Sequence, residues 1–457
     1  MAAGGKSLIR DFTDGPVFGP LVKFSIPFML SNALQVLYST VDMFIVGKYM
    51  GHVGLASVIN ASRVFVFMTM LSVGLSMSGQ IYVAQLIGQG RRDALQKAIG
   101  TFFTTLLSIG AVLTVAGLLA ARSLLELINV PEEALPGALS YLLVCSAGIM
   151  FSFGYNMVSA VLRGMGDSRR PFLFVAVASV TNLVLDILFI AGFGWGTFGA
   201  GLATILGQAL SFVFSLAYLY RQREGFGFDF RPRSFRIDGA VLAAQMKLGI
   251  PFAIRFAAIN VSMMYVLGLV NGVGLAASTV FGVGVQMDDI VTKITQGIMQ
   301  ATTGMVGQNY GARKFDRIRR IVYGAWLFSF GFYVVYSYFL LAHTEAMFKV
   351  FTDNSEVLAL APVFAWNIVW QFPGLVIMRG TNGFINGIGN ARLALVFGIL
   401  DGVVLRIGCS WLLGTFLGLG LKGYVLGYAV ACYGMGLPTL FYFFFCPWKN
   451  RRAVTAA

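Results

Sequence analysis

The stretch KFSIPF at residues 23–28 returns as KLGIPF at residues 247–252, and each copy opens a long apolar run. Two further landmarks recur in the same order at nearly the same separation. GQG at 88–90 matches GQN at 307–309, and RGMGD at 163–167 matches NGIGN at 386–390. Three ordered matches indicate that the chain is an internal repeat of two similar halves.

The apolar runs predict membrane-spanning helices. Apolar residues make up 57% of the 457 residues and charged residues only 11%, whereas soluble domains carry roughly 25% charged residues. About twelve runs approach the length of a spanning helix, and they are apolar on every face, unlike barrel strands. They cover residues 20–46, 54–86, 98–121, 137–162, 171–192, 198–220, 248–270, 276–306, 321–343, 358–382, 393–414 and 423–445.

The sequence therefore predicts an all-α polytopic membrane protein. Its fold class is about 12 transmembrane helices in two pseudo-symmetric six-helix lobes that share one orientation in the membrane. The predicted domains are an N-terminal segment at 1–19, a first lobe at 20–220, a linker at 221–247, a second lobe at 248–446 and a C-terminal segment at 447–457.

The placement of charge predicts the topology. A formal net charge of +14 is compatible with nucleic-acid binding by itself. The basic residues, however, crowd into alternate loops, while the loops between them carry acids such as Glu132, Glu133 and Glu345. This positive-inside pattern predicts cytoplasmic termini, a multi-pass protein of the cell membrane in contact with lipids, and no nucleic-acid partner.

Polar side chains within the first half are candidates for function, because an ionisable residue inside a bilayer costs at least a few kcal/mol. Asp42, Asp186 and Thr204 lie at similar depth in the outer half of the membrane, and Asn182 lies one turn deeper. Two carboxylates with amide and hydroxyl oxygens at one level are typical of a hard-cation site or a proton relay. Their mutual repulsion favours retention of a proton near neutral pH.

Alternatives to this interpretation are open at three residues. Asp42 is near enough to the predicted outer surface to snorkel into water, and Asp186 could serve only as a structural hydrogen bond between helices. Arg63, in the second run, either neutralises one of the acids or acts as a counter-charge in a cavity of the first lobe. Asn156 is the other candidate lining residue of that cavity.

The second half carries a different set of charges. They lie inside the seventh, eighth and eleventh runs: Arg255, Asp288, Asp289, Lys293, Asp401 and Arg406. Their signs balance, so they form either a structural ion network or the lining of a substrate or second coupling site. Arg379 lies near the cytoplasmic end of the tenth run, a position typical of a topology charge.

Motifs from both halves resemble the multidrug and toxic compound extrusion (MATE) family. The resemblance is to its prokaryotic type, within the multidrug/oligosaccharidyl-lipid/polysaccharide flippase superfamily, and it covers nearly the whole chain. The motifs are VDMFIVG at 41–47, RGMGD at 163–167, NLVLD at 182–186, GAGLAT at 199–204 and GQNYGA at 307–312. The resemblance implies a V-shaped fold and alternating-access export of amphiphilic, cationic compounds.

The resemblance also implies how transport is coupled. The coupling ion is H⁺ or Na⁺, held at Asp42, Asn182, Asp186 and Thr204, with no other metal and no cofactor. Another branch of the family uses an acid in helix seven, which this chain lacks. Pro27 softens the first helix and is the predicted hinge.

The predicted function is that of an H⁺- or Na⁺-coupled antiporter for small amphiphilic substrates, acting as a monomer. The alternative is a flippase for a lipid or lipid-linked saccharide, which basic side chains inside the membrane would favour. The sequence has no P-loop or metalloprotease helix and only two histidines, so we expect no enzyme activity.

Overall fold

The computed structural model describes residues 9–456, and the regular structure in that range is helical throughout. Helices of the first half enclose the residues of the predicted ion site. They are α1 (Phe18–Gly88), α2 (Asp93–Leu127), α3 (Leu135–Ala147), α4 (Ile149–Gly164), α5 (Arg169–Asp186), α6 (Gly196–Arg221) and the short α7 (Arg223–Phe226). A π-helical turn, Ile187–Gly192, continues α5.

The second half repeats this order with more interruptions. Its helices are α8 (Gly239–Asn271), α9 (Leu275–Gly311), α10 (Phe315–Ala342), α11 (Thr344–Lys349), α12 (Ser355–Ile368), α13 (Gln371–Gly387), α14 (Ala391–Ile399), α15 (Arg406–Ser410), α16 (Gly420–Val430) and α17 (Tyr433–Phe445). Two π-helical turns, Leu400–Leu405 and Trp411–Phe416, flank α15.

α1 holds two of the predicted runs, and it breaks at Gly51. This residue has φ 66° and ψ −165°, a backbone region that is essentially restricted to glycine because a Cβ atom would clash. The chain therefore kinks between its first two predicted spans without a separate loop.

The number of spans agrees with a polytopic protein. Within residues 9–456, eight helices are long and apolar enough to cross a membrane, or ten if each bent pair is one span. The bent pairs are α3 with α4, at 50°, and α12 with α13, at 46°. Every predicted run coincides with helical segments, apart from turn residues at Gly148, 369–370 and 431–432 and His343 at the end of the ninth run. The prediction of an all-α polytopic membrane fold is confirmed.

The described chain divides into two compact units. The first unit comprises residues 9–11 and Leu30–Ala253, and the second comprises Phe12–Met29 and Ile254–Ala456. α1 thus passes from the second unit to the first after Met29, and α8 passes in the opposite direction after Ala253. Pro27 and Pro251 each lie two residues before these points, and a proline inside a helix removes one backbone hydrogen bond.

The segment between the two halves is docked on α2 of the first unit. Phe228 is buried and stacks on Phe103, with ring centroids 6.1 Å apart. The Thr104 hydroxyl donates a hydrogen bond of 2.6 Å to the carbonyl oxygen of Phe235. At Gly100, a Cβ atom would overlap the carbonyl oxygen of Ser234. A glycine is therefore required where the segment crosses α2.

The segment before α1 is held in a comparable way in the second unit. Arg317 donates hydrogen bonds to the carbonyl oxygens of Gly15 at 2.7 Å, Phe12 at 3.0 Å and Asp14 at 3.1 Å. The Lys314 ammonium donates to the Asp14 carboxylate at 2.6 Å. This hydrogen bond and the charge of Lys314 lower the pKa of Asp14 below its ordinary value.

Candidate functional site

Small residues on α6 bring the elements of the predicted ion site together. A Cβ atom at Gly207 would lie 3.3 Å from the Cβ of Asn182 on α5, and one at Gly201 would lie 3.1 Å from the backbone oxygen of Tyr141 on α3. α3, α5 and α6 therefore pack with their backbones unusually close. The GAGLAT motif acts first as a packing surface, as small residues do between membrane helices.

Asp42 and Asp186 lie next to each other inside the first unit. Their side chains are within hydrogen-bonding reach of one another, and they are 9% and 0% exposed. As ionised carboxylates they have no proton to share, so Oδ1 of Asp42 and both Asp186 oxygens lack a donor within the described chain. At this burial, Asp42 does not snorkel into water, and Asp186 makes no ordinary structural hydrogen bond.

Asn182 lies one helical turn before Asp186 on α5, so the two side chains share a face. It is 5% exposed, and its Nδ2 atom is buried without an acceptor. Thr204 donates its hydroxyl to the carbonyl oxygen of Ala200 at 3.0 Å, which leaves its oxygen free to accept. No hydrogen bond joins Thr204 directly to either carboxyl among residues 9–456.

Two tyrosines that the sequence did not single out surround the acid pair. Tyr38 interacts electrostatically with both Asp42 and Asp186. Tyr141 is 4% exposed, lies within hydrogen-bonding reach of Thr204 and interacts electrostatically with Asp42. Tyr141 therefore links Thr204 to the acids. Tyr38 precedes Asp42 by one turn, which is a signal in the sequence, whereas nothing in the sequence indicates Tyr141.

The two residues assigned to a cavity of the first lobe do not join the acid pair. Asn156 is half-buried and donates from Nδ2 to the Ser72 hydroxyl at 3.3 Å. Arg63 is exposed and forms no ion pair within the part of the chain that the structure describes. The alternative in which Arg63 neutralises Asp42 or Asp186 is therefore wrong.

The charges of the second half converge in the second unit. Arg406 forms an ion pair of 3.4 Å with Asp401 and lies over the Tyr428 ring at 5.1 Å. Arg255 is 4% exposed and donates to Asn382 Oδ1 at 3.1 Å. Asp401 lies within the π-helical turn Leu400–Leu405, which has no equivalent in α5.

The remaining acids of this group lie on α9. Asp288 is 2% exposed and accepts a hydrogen bond of 3.1 Å from Gln371 Nε2. Asp289 is half-buried and interacts electrostatically with Lys293 and Arg406. Lys293 is exposed.

Arg379 corrects one expectation. It is 2% exposed and donates to the carbonyl oxygen of Thr292 at 3.1 Å and to the Tyr333 hydroxyl at 3.4 Å. A topology charge would reach water, so that interpretation is wrong, and Arg379 belongs to the buried network.

Local backbone geometry repeats along with the motifs. The π-helical turn Ile187–Gly192 directly follows Asp186, and the turn Trp411–Phe416 occupies the same place 224 residues later. Such widened turns often occur at functional sites because they redirect side chains. The acid at position 186 has Ser410 as its counterpart at this offset, so the second unit lacks the acid pair.

No metal centre of the usual composition is present in the described residues, since no three His, Cys, Asp or Glu side chains converge. An ion at Asp42 and Asp186 would need carbonyl, amide or hydroxyl oxygens as its other ligands, as hard cations accept.

These features define a multi-pass helical membrane transporter built from two repeats. The chain belongs to the MatE family, whose model matches residues 27–188 and again residues 251–412. The second match begins and ends 224 residues after the first, the spacing of the two prolines and of the two π-helical turns.

Similar proteins span the whole chain. The probable multidrug resistance protein YpnP of Bacillus subtilis is 29% identical and covers 97% of this chain and 99% of its own length. The probable multidrug resistance protein NorM of Thermotoga maritima is 24% identical over 95% of this chain and 94% of its own. A multidrug resistance MATE family transporter in an outward-facing conformation shares the fold with a TM-score of 0.89, at 23% identity over 97% of this chain and 98% of the other.

Proposed function

We propose that this chain exports small amphiphilic organic cations by alternating access, in exchange for H⁺ or Na⁺. The observation that carries the proposal is the acid pair of Asp42 and Asp186, which is buried and has no basic partner among residues 9–456. Two buried anions without a counter-charge are unfavourable, so the pair favours uptake of a cation. The multidrug names of the relatives support drug-like substrates.

The pair can hold either ion. A proton would be shared, with one carboxyl donating to the other. Na⁺ would take oxygen atoms from both carboxylates, with the Asn182 amide oxygen and the Thr204 hydroxyl as further ligands. In either case, ion binding raises the charge of the first unit by one, which weakens its attraction for a cationic substrate and favours release.

The movement of the chain is assigned to α1. In this proposal the lobes are residues 20–220 and 248–446, joined by the linker 221–247, with both termini cytoplasmic and the protein acting as a monomer in the cell membrane. The hinge is Pro27, since α1 changes unit two residues later. Ion binding at Asp42 thereby acts on the helix that both units contain.

The flippase alternative is less favoured. A lipid phosphate held inside the second unit would need free basic groups there, whereas the buried Arg379 and Arg406 are already engaged with Tyr333 and Asp401. The relatives also carry multidrug names rather than lipid names.

The test is transport by the purified protein in proteoliposomes, with ethidium as substrate, under a pH gradient and a Na⁺ gradient imposed separately. Asp42→Asn and Asp186→Asn are expected to abolish gradient-driven export. Glu133→Gln, which changes an exposed acid, is the control and should export as the wild type does. Full gradient-driven export by both Asp variants would contradict the proposal, and the gradient that drives the wild type identifies the ion.

A further inference from the structure

The second unit contains a buried carboxyl group with an incomplete set of hydrogen bonds. Asp288 lies within α9, and while its Oδ2 accepts from Gln371 Nε2 at 3.1 Å, its Oδ1 is buried without a partner. Gln371 is the first residue of α13, directly after the bend between α12 and α13, and it is 6% exposed. Its Oε1 is also buried without a partner. Both orphaned atoms are acceptors, and they belong to the same pair of side chains.

A single proton satisfies both atoms. If Asp288 is protonated on Oδ1, this hydroxyl donates to Gln371 Oε1, while Gln371 Nε2 continues to donate to Oδ2. The result is a cyclic carboxyl–amide pair with two hydrogen bonds. In the ionised form neither orphaned oxygen has a donor, and a buried acceptor without a donor is unfavourable.

The neighbouring charges do not replace the proton. No Lys or Arg nitrogen in residues 9–456 forms an ion pair with Asp288, because Arg406 is paired with Asp401 and Arg379 donates to Thr292 and Tyr333. Several other titratable or charged groups interact electrostatically with Asp288, and they lie on the elements around it. They are Asp289 on α9, Tyr333 and Tyr336 on α10, Arg379 on α13, Arg406 on α15, Tyr428 on α16 and Cys432 after α16.

We propose that Asp288 and Gln371 form a second proton-binding site, in the unit that lacks the acid pair. The ligand is H⁺, taken up on Asp288 Oδ1 from water. Asp289 is half-buried and interacts with the exposed Lys293, which gives the proton a polar route to the surface. Proton binding at Asp288 is separate from the proposed function, since it can be measured without transport and holds even if Asp42 and Asp186 bind Na⁺.

The test is an infrared pH titration of the purified full chain in lipid nanodiscs, followed through the C=O stretch of protonated carboxyl groups. The background is the double variant Asp42→Asn/Asp186→Asn, which removes the acid pair. This background is expected to keep a protonated carboxyl band at neutral pH that shifts in D₂O. Adding Asp288→Asn should remove the band, whereas adding Asp401→Asn, which changes an ion-paired acid, should leave it in place.

A second variant tests the same site independently if the triple variant does not fold. Gln371→Leu in the same background removes the amide partner, so the band is expected to move to higher frequency as the carboxyl loses its hydrogen bonds. A band that persists after Asp288→Asn, or that keeps its frequency in Gln371→Leu, would overturn the assignment. So would the absence of any protonated carboxyl band in the background variant.

Discussion

The carboxyl groups of Asp42 and Asp186 lie within hydrogen-bonding reach of one another, although α1 and α5 carry them 144 residues apart in the chain. No basic side chain compensates them in the described residues. As two carboxylates they oppose folding, and they gain a stable arrangement only when a proton or a cation joins them. The stability of the protein should therefore report on this pair directly.

The first prediction is that Asp186→Asn stabilises the folded protein. The new amide can donate to the orphaned Oδ1 of Asp42, and one buried negative charge is removed. We expect a gain of about 1–3 kcal/mol, the usual cost of an unsatisfied buried polar group. The measurement is the thermal unfolding midpoint in detergent at alkaline pH without Na⁺.

Asp167→Ala is the matched control for that prediction. Asp167 is 5% exposed, but it accepts hydrogen bonds from the backbone N–H groups of Arg169 at 3.0 Å and Arg170 at 3.3 Å. Its removal should lower the midpoint, because these donors at the start of α5 lose their acceptor. If Asp186→Asn lowers the midpoint as Asp167→Ala does, the carboxyl of Asp186 has a stabilising partner and the prediction is wrong.

The second prediction concerns the buried ion pair of Arg406 and Asp401. Arg406→Met leaves Asp401, which is 3% exposed, as an uncompensated charge, and we expect a loss of about 3–5 kcal/mol. The double variant Arg406→Met/Asp401→Asn should recover part of that loss, because the orphaned charge is gone. Thermal unfolding of the two single variants and the double variant measures the coupling, and additive losses would show that the residues do not interact.

The third prediction tests the docking of the inter-repeat segment. Gly100→Ala places a methyl group where the Ser234 carbonyl oxygen lies, so the segment must lift from α2. We expect faster hydrogen exchange of the amides in residues 228–238. Gly239→Ala is the control, since a Cβ atom there meets nothing within 4 Å, and equal exchange in both variants would contradict the docking.

The fourth prediction tests how the segment before α1 is held. Arg317 uses the planar fork of its guanidinium on several carbonyl groups at once, which an ammonium group cannot reproduce. Arg317→Lys is therefore expected to speed hydrogen exchange in residues 12–17. Arg320→Lys, at an exposed position of the same helix, should have no effect, and protection that is unchanged in Arg317→Lys would refute the prediction.

The fifth prediction is a pH dependence of the same segment. The pKa of Asp14 is lowered in the folded state from its ordinary value of 3.8, first by the hydrogen bond from Lys314. The contribution of this contact to the stability of the segment is thus complete above pH 3.8. It is lost as the pH falls through the lowered pKa that Asp14 has in the folded state. A nitroxide label at Pro16→Cys should keep the same mobility from neutral pH down to about pH 5, and gain mobility only in stronger acid. The added variant Asp14→Asn should abolish that step, and mobility that rises near neutral pH would contradict the assignment.

Much of the fold could be predicted from the sequence, because the features that indicate it involve residues close together in the chain. A run of apolar residues is long enough to span a bilayer or it is not, and KFSIPF and KLGIPF mark the repeat without knowledge of any contact. The spacing of Asn182 and Asp186 likewise fixes a shared helix face, since that relationship depends only on helical geometry. The depth of Asp42 in its run then suggested that it lies level with Asp186.

The contacts between distant helices required the tertiary structure. Depth placed Asp42 and Asp186 at one level, but only the tertiary structure showed that their side chains meet. It also added Tyr141, through the close packing of α3 against α6. Arg379 looked like a surface charge from its position near a helix end, yet its long side chain reaches into the second unit. Gln371 carried no signal at all, because its role depends on a bend between α12 and α13.

The sequence by itself thus determined that this chain is a repeated, helical membrane protein of the MatE type. Apolar runs and repeated motifs are visible in the order of the residues, without knowledge of any contact between helices. The tertiary structure decided which buried acids are ion-paired, as Asp401 is with Arg406, and which have no ion-pair partner among residues 9–456, such as Asp42, Asp186 and Asp288. The physical reason is that a charge inside a membrane protein is stabilised by atoms within a few ångströms, and these atoms come from helices far apart in the sequence.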